Sequence, residues 1–283
     1  MPIFKQVDVF TSVKYKGNAV AVLFDADNLS TEEMQAIARW TNLSETTFVV
    51  KATQEGADYR VRIFTPGCEL PFAGHPTLGT AYALLEEGRI APHDGKVIQE
   101  CDAGLVEITV TGEDSSRELS FKLPYFRMTP ISTEVVKQVE ASLGKNVVGE
   151  PILIEDGPKW AVFEFGSGAD VLEVNLDMTE LSKISVANGW TGLGLFGPKE
   201  GNGYEMRNIA PSIGVPEDPA CGSGAGAVGA YLGTTKGKQG KFSITQGCRI
   251  SRDAKLSVNL SKDENGLVIE VGGQAVTCFK GEY

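Results

Sequence analysis

Five side chains in this sequence have the chemistry and the surroundings for acid–base work: Glu45, His75, Asp218, Cys221 and Ser223. Glu45 stands in Leu43-Ser44-Glu45-Thr46-Thr47-Phe48, where a helical pattern hands over to an apolar strand. There it reads either as a surface glutamate at a helix end or as a carboxylate set at the rim of a site. His75 follows Gly74 and Ser223 follows Gly222, and each pair opens a helix rich in small residues. First-turn N–H groups have no intrahelical partner, and the helix dipole adds positive charge. Such a mouth suits a carboxylate, although glycine there also permits plain tight packing. The same dipole disfavours a charged imidazole, so a neutral His75 is expected. Asp218 precedes Pro219, a frequent setting for a turn former or N-cap. Cys221 lies just ahead of the second helix start, where the dipole is expected to lower a thiol pKa; a buried structural cysteine is the other reading.

Other chemistries are excluded or poorly supported. Two histidines, His75 and His93, rule out a three-histidine zinc site and H-E-x-x-H. The five cysteines are odd in number, scattered and never in C-x-x-C, which fits a reduced, cytoplasmic protein with free thiols. Gly192–Gly197 and Gly224–Gly229 both satisfy G-x-G-x-x-G, but neither has the strand–turn–helix setting of a dinucleotide site. A net charge of −11 without a basic run argues against nucleic acid or an anionic membrane as partner. No leader or membrane-spanning run is evident.

The elements that must position these residues come in two copies. Ser30-Thr31-Glu32-Glu33 is a capping-box start followed by Met34, Ile37 and Ala38 on one face, and Asp177-Met178-Thr179-Glu180 with Leu181 and Ile184 repeats the design. Apolar runs flank each helix: 17–24 and 46–50 in the first half, 157–165 and 193–196 in the second. Arg62-Ile63-Phe64-Thr65-Pro66 matches Arg207-Asn208-Ile209-Ala210-Pro211, and Glu69–His75 matches Glu217–Ser223. The matched positions stay 145 to 148 residues apart and keep their order, which points to duplication. In each copy the last matched motif opens a helix apolar on most faces, hence buried, with alternating segments read as strands around and after it, as at 103–111 and 254–271. The fold class expected is α+β: two pseudo-symmetric domains, each a twisted, mainly antiparallel β-barrel around a central helix. Their bounds are expected at 1–120, completed by about 270–283, and at 130–269, with the active site in the cleft between them.

These residues resemble the phenazine-biosynthesis PhzF-like family of the diaminopimelate-epimerase-like superfamily, over nearly the whole chain. The similarity runs from Phe4–Thr11 and Gly17–Val22 through Trp40–Phe48 and Arg62–Pro66. Its most specific pieces are Glu69–Gly79 and Glu217–Gly224. The resemblance implies a homodimeric isomerase that works without cofactor or metal on a small carboxylate. Founding members isomerise trans-2,3-dihydro-3-hydroxyanthranilate. It implies that Glu45 is the proton-shuttling residue and that His75, Asp218 and Ser223 complete the catalytic set. Gly74, Gly222 and Ser223 would supply the carboxylate-binding wall, with Cys221 beside it and Asn18 as a neighbouring pocket residue. Cys221 stands where many members have threonine and fungal-type members have cysteine, and Ile209 stands where phenylalanine is usual.

The expected chemistry is removal of an activated C–H proton by a partly desolvated Glu45 and its return to another carbon. Two further readings remain: an epimerase or racemase using Cys221 with Glu45, and a non-catalytic small-ligand binder of the same fold.

Overall fold

Alternating burial along some strands, as at 118–122 and 254–260, continuous buried runs along others, as at 192–197, and two helices buried nearly all round determine how this chain condenses. The computed structural model describes residues 2–283. The chain divides into two units, one running to Lys122 and including Gly272–Tyr283, the other Leu123–Val271.

The first unit contains β1 (Ile3–Val9), β2 (Asn18–Leu23), α1 (Thr31–Thr41), β3 (Glu45–Val50), β4 (Tyr59–Phe64) and β5 (Glu69–Leu70). The helix α2 (Gly74–Glu86), then β6 (Lys96–Cys101), β7 (Gly104–Thr111) and β8 (Glu118–Lys122) follow, and β18 (Ala275–Glu282) completes it. Strand pairing is antiparallel for β1–β2, β3–β4, β4–β5, β6–β7, β7–β8 and β1–β18, and parallel for β2–β3 and β4–β6.

The second unit follows the same plan. It holds β9 (Arg127–Pro130), α3 (Thr133–Leu143), β10 (Val148–Glu155), β11 (Lys159–Glu164), α4 (Gly168–Glu173) and α5 (Met178–Asn188). Next come β12 (Gly192–Lys199), β13 (Gly203–Ala210), β14 (Val215–Asp218) and α6 (Gly222–Thr235), then β15 (Gly240–Gln246), β16 (Ala254–Asp263) and β17 (Gly266–Gly273). Here β10–β11, β12–β13, β13–β14 and β15–β16 are antiparallel, while β11–β12 and β13–β15 are parallel. Strand β9 pairs with β10 as β18 pairs with β1.

The repeat extends to register and to side chains. Tyr59 faces Gln99 across β4–β6, and Met206 faces Gln246 across β13–β15. Arg62 grips Glu69 through Nε and Nη2, and Arg207 grips Glu217 in the same two-pronged way. The architecture is α+β with pseudo-symmetric sheet-and-helix units. The outer helices cover one sheet face: Met34 and Ala38 of α1 pack with Phe48 and Phe64, and Leu181 and Ile184 of α5 pack with Phe163 and Leu193. The central helices are buried. Strands β1, β2, β3, β6, β8 and β18 touch α2, and β10, β11, β12 and β16 touch α6. Small residues let these strands close in. A Cβ at Gly79 would fall 2.4 Å from Val20, and one at Gly229 would meet Val258, Ile269 and Leu260.

Among the described residues, no helix is long and apolar enough to cross a membrane. All five cysteines are free.

Candidate active site

Each unit brings its own chemically interesting residues to the mouth of its central helix. In the first, Ser30 and Glu33 form a reciprocal capping box that starts α1, and Asn42 in the left-handed region stops it. The chain then turns directly into β3, so its first residue, Glu45, stands opposite Val20 of β2. The Glu45 side chain is 16% exposed, and its Oε2 lies 3.4 Å from Nδ1 of His75. His75 is the second residue of α2. Burial pushes its imidazole down to about 4, outweighing a backbone hydrogen bond at Ala19 that favours the charged form. His75 is therefore neutral near pH 7, as expected, with burial as the leading cause. Gly74 opens α2, and a Cβ there would sit 2.6 Å from the Phe121 ring, so packing alone requires this glycine. Asn18, at the start of β2, is buried.

In the second unit the counterpart of Glu45 is Gly192, the first residue of β12. A Cβ at Gly192 would lie 2.3 Å from the Ile209 carbonyl oxygen and 2.8 Å from the Ala210 methyl. The carboxylate is thus one-sided because the second copy has no room for a side chain there.

At the mouth of α6 the thiol of Cys221 is the N-cap and accepts from the Gly224 N–H at 3.2 Å. Ser223, which could have been the cap, instead accepts from the Trp160 indole at 2.9 Å, with the Cys221 sulfur 3.4 Å away. The Cys221 N–H donates to Oε1 of Gln246, and the other end of that amide donates to the Asp218 carbonyl, at 2.9 and 2.7 Å. Asp218 makes a turn as well as a site, since its Oδ1 accepts from the Ala220 N–H at 2.9 Å. Burial nevertheless raises its carboxyl to about 6, against that hydrogen bond.

The expected lowering of the Cys221 pKa is corrected by the structure. Burial pushes the thiol well above its ordinary value, and the Asp218 carboxyl adds to the shift. The hydrogen bonds from Ser223 and Gly224 act the other way but do not outweigh burial. Cys221 is a thiol near neutral pH, able to give a proton but not poised to take one.

Four contributors escape a reading by motif: Trp160, Gln246, Asn208 and Asp156. Gln246 carried a usable signal, because Gln99 lies 147 positions earlier and donates to Thr77 on α2. Asn208 carried another, since its counterpart in the repeat is Ile63. Asn208 is fully buried, with neither side-chain polar atom hydrogen-bonded. It lies flat against Gly224, where a Cβ would come within 2.3 Å of its Nδ2. Trp160 and Asp156 belong to the β10–β11 hairpin, and nothing local in sequence links that hairpin to α6.

Comparison with known proteins places these features in a family context. A profile described as phenazine biosynthesis-like protein matches residues 7–281. Antisense-enhancing sequence 1 of Schizosaccharomyces pombe is 50% identical over 289 residues, covering 99% of this chain and 97% of that protein. Trans-2,3-dihydro-3-hydroxyanthranilate isomerase of Pseudomonas aeruginosa is 32% identical, covering 97% and 96%. A PhzF-family phenazine biosynthesis protein of Bacillus anthracis shares the fold, with a TM-score of 0.88 at 24% identity over 100% of this chain and 98% of that one.

Proposed function

Since this chain belongs to the phenazine biosynthesis-like PhzC/PhzF family and is an isomerase of it, we propose that it moves a proton between two carbons of a small carboxylate, with Glu45 as the shuttle. The observation that carries this reading is the Glu45–His75 pair. A largely buried carboxylate stands 3.4 Å from an imidazole that burial keeps uncharged. A neutral ring cannot form an ion pair with Glu45, so it lies beside the carboxylate without pairing its charge.

The substrate C–H bond breaks toward a Glu45 oxygen, and the electron pair shifts into the substrate's conjugated system. The same carboxyl then gives its proton to a second carbon, and a new C–H bond forms. Protein groups alone carry the proton. His75 and Asp218 orient the amino or hydroxyl group, while the first-turn amides of α6 and the Ser223 hydroxyl receive the carboxylate. The protonated state of Cys221 speaks against the epimerase reading with a thiolate base. The free thiols accord with a reducing, cytoplasmic setting.

Glu45→Gln tests the reading. Trans-2,3-dihydro-3-hydroxyanthranilate and a panel of small cyclic and amino carboxylates are incubated in heavy water and followed by mass spectrometry. We expect the substitution to cut isomerisation and hydrogen exchange by about 10²- to 10⁴-fold while binding changes little. Exchange at the wild-type rate would remove Glu45 from the mechanism.

A further inference from the structure

Asp156 occupies the turn between β10 and β11, where its N–H donates to the Pro158 carbonyl. Aspartate in a hairpin turn ordinarily points to water. This one is turned inward and is 9% exposed, and neither carboxyl oxygen has a side-chain or main-chain donor within ordinary hydrogen-bonding geometry. Its Oδ2 would lie 3.1 Å from a Cβ at Gly226, in the second turn of α6, and the Leu123 methyls would lie 2.8 Å from the same point. Glycine at 226 therefore makes room for the leucine and for an acid group. Among the described residues, no lysine or arginine pairs with it. The titratable group that α6 brings to these surroundings is the Cys221 thiol, and the one from β14 is Asp218, which acts on the same thiol. Neither supplies a positive charge.

A buried carboxylate with no counter-charge, and with only its own main-chain amide acting in its favour, is strongly disfavoured, so the group resides there as the acid. Its pKa lies well above the ordinary aspartate range, with burial as the leading cause. Its location matters because the N-terminal end of a helix carries roughly half a positive charge, and a full negative charge alongside would outweigh it.

We propose that Asp156 is a positioning residue of the α6 mouth: as the neutral acid beside Gly226 it leaves the helix's positive end open to an anionic ligand, and on ionising it closes that end to anions. This rests on the carboxylate reading of the α6 mouth given above. Affinity for a carboxylate then falls in two steps as pH rises. The first follows Asp218, which titrates at about 6; the second follows Asp156.

Anthranilate, a fluorescent aromatic carboxylate, serves as the probe and is titrated against the whole chain from about pH 6 to about pH 9. Beyond the Asp218 step, which both proteins share, wild-type affinity should drop at least about fivefold further, whereas Asp156→Asn, whose side chain at 156 is neutral at every pH, should then hold its affinity within about twofold. The same decline in both proteins would overturn the role of Asp156 and leave the carboxylate reading standing. No binding by the wild type at any pH would remove the carboxylate reading, and the proposal with it. Should Asp156→Asn fail to fold, infrared spectra of the unsubstituted chain decide the matter. A carboxylic-acid C=O band distinct from that of Asp218 must be present and must vanish as pH rises; its absence throughout overturns the proposal.

Discussion

The indole of Trp160 occupies an acceptor site on the Ser223 oxygen, which leaves the serine proton free to point at the Cys221 sulfur or at a ligand. Trp160→Phe keeps the ring but removes the donor. It should weaken carboxylate binding by about fivefold, the worth of one modest hydrogen bond, while the urea midpoint moves little. Titration of anthranilate against both proteins checks this. The sequence makes Ser223 a candidate and leaves Trp160 invisible, because a tryptophan in an apolar strand looks like core. For Cys221 the buried reading holds and the lowered pKa does not, for a related reason. A helix start is legible in sequence, whereas how thoroughly the fold buries the thiol is a property of packing. His75 comes out neutral in both readings, since dipole and burial act in the same direction.

Helices and strands were largely legible because the chain states most of them twice. The capping box at Ser30, the Asp177 N-cap and both buried helices fall where the repeat places them. What the repeat could not supply was the reason for its own breaks. Ile209 and Ala210 leave no room at Gly192 for a counterpart of Glu45, and Ile63 gives way to Asn208 beneath Gly224. The second break is testable at the level of the helix. Gly224→Ala forces a methyl into the Asn208 amide and should cost about 1–3 kcal/mol through overpacking. Asn208→Ala removes two buried polar atoms that lack hydrogen bonds together with the obstruction. The double variant should therefore recover most of the loss, read as the coupling in a denaturation cycle. Simple addition of the two single effects would show that Gly224 serves something other than Asn208.

Across the whole molecule, His75 and Asp218 bias stability in opposite directions. The folded His75 pKa is lowered from 6.5 to about 4, so the unfolded chain takes up that proton first and stability falls as pH drops through this window. The folded Asp218 pKa is raised from 3.8 to about 6, so the folded chain keeps that proton longer and stability falls as pH rises between those values. Each is worth at most about 3 kcal/mol, and between about pH 4 and about pH 6 they offset one another. Urea midpoints across that range should decline with rising pH in His75→Gln and climb with rising pH in Asp218→Asn. Parallel profiles in the two variants would show that this opposition is absent.

Strand β18 sets a different constraint, on the order of assembly. The edge partner of β1 is encoded beyond every residue of the second unit, so a growing polypeptide holds all of 123–271 before the first unit can close. Made first, that unit must wait with an open flank for its final strand, and the ribosome therefore releases the later-made half ready to fold ahead of the earlier one.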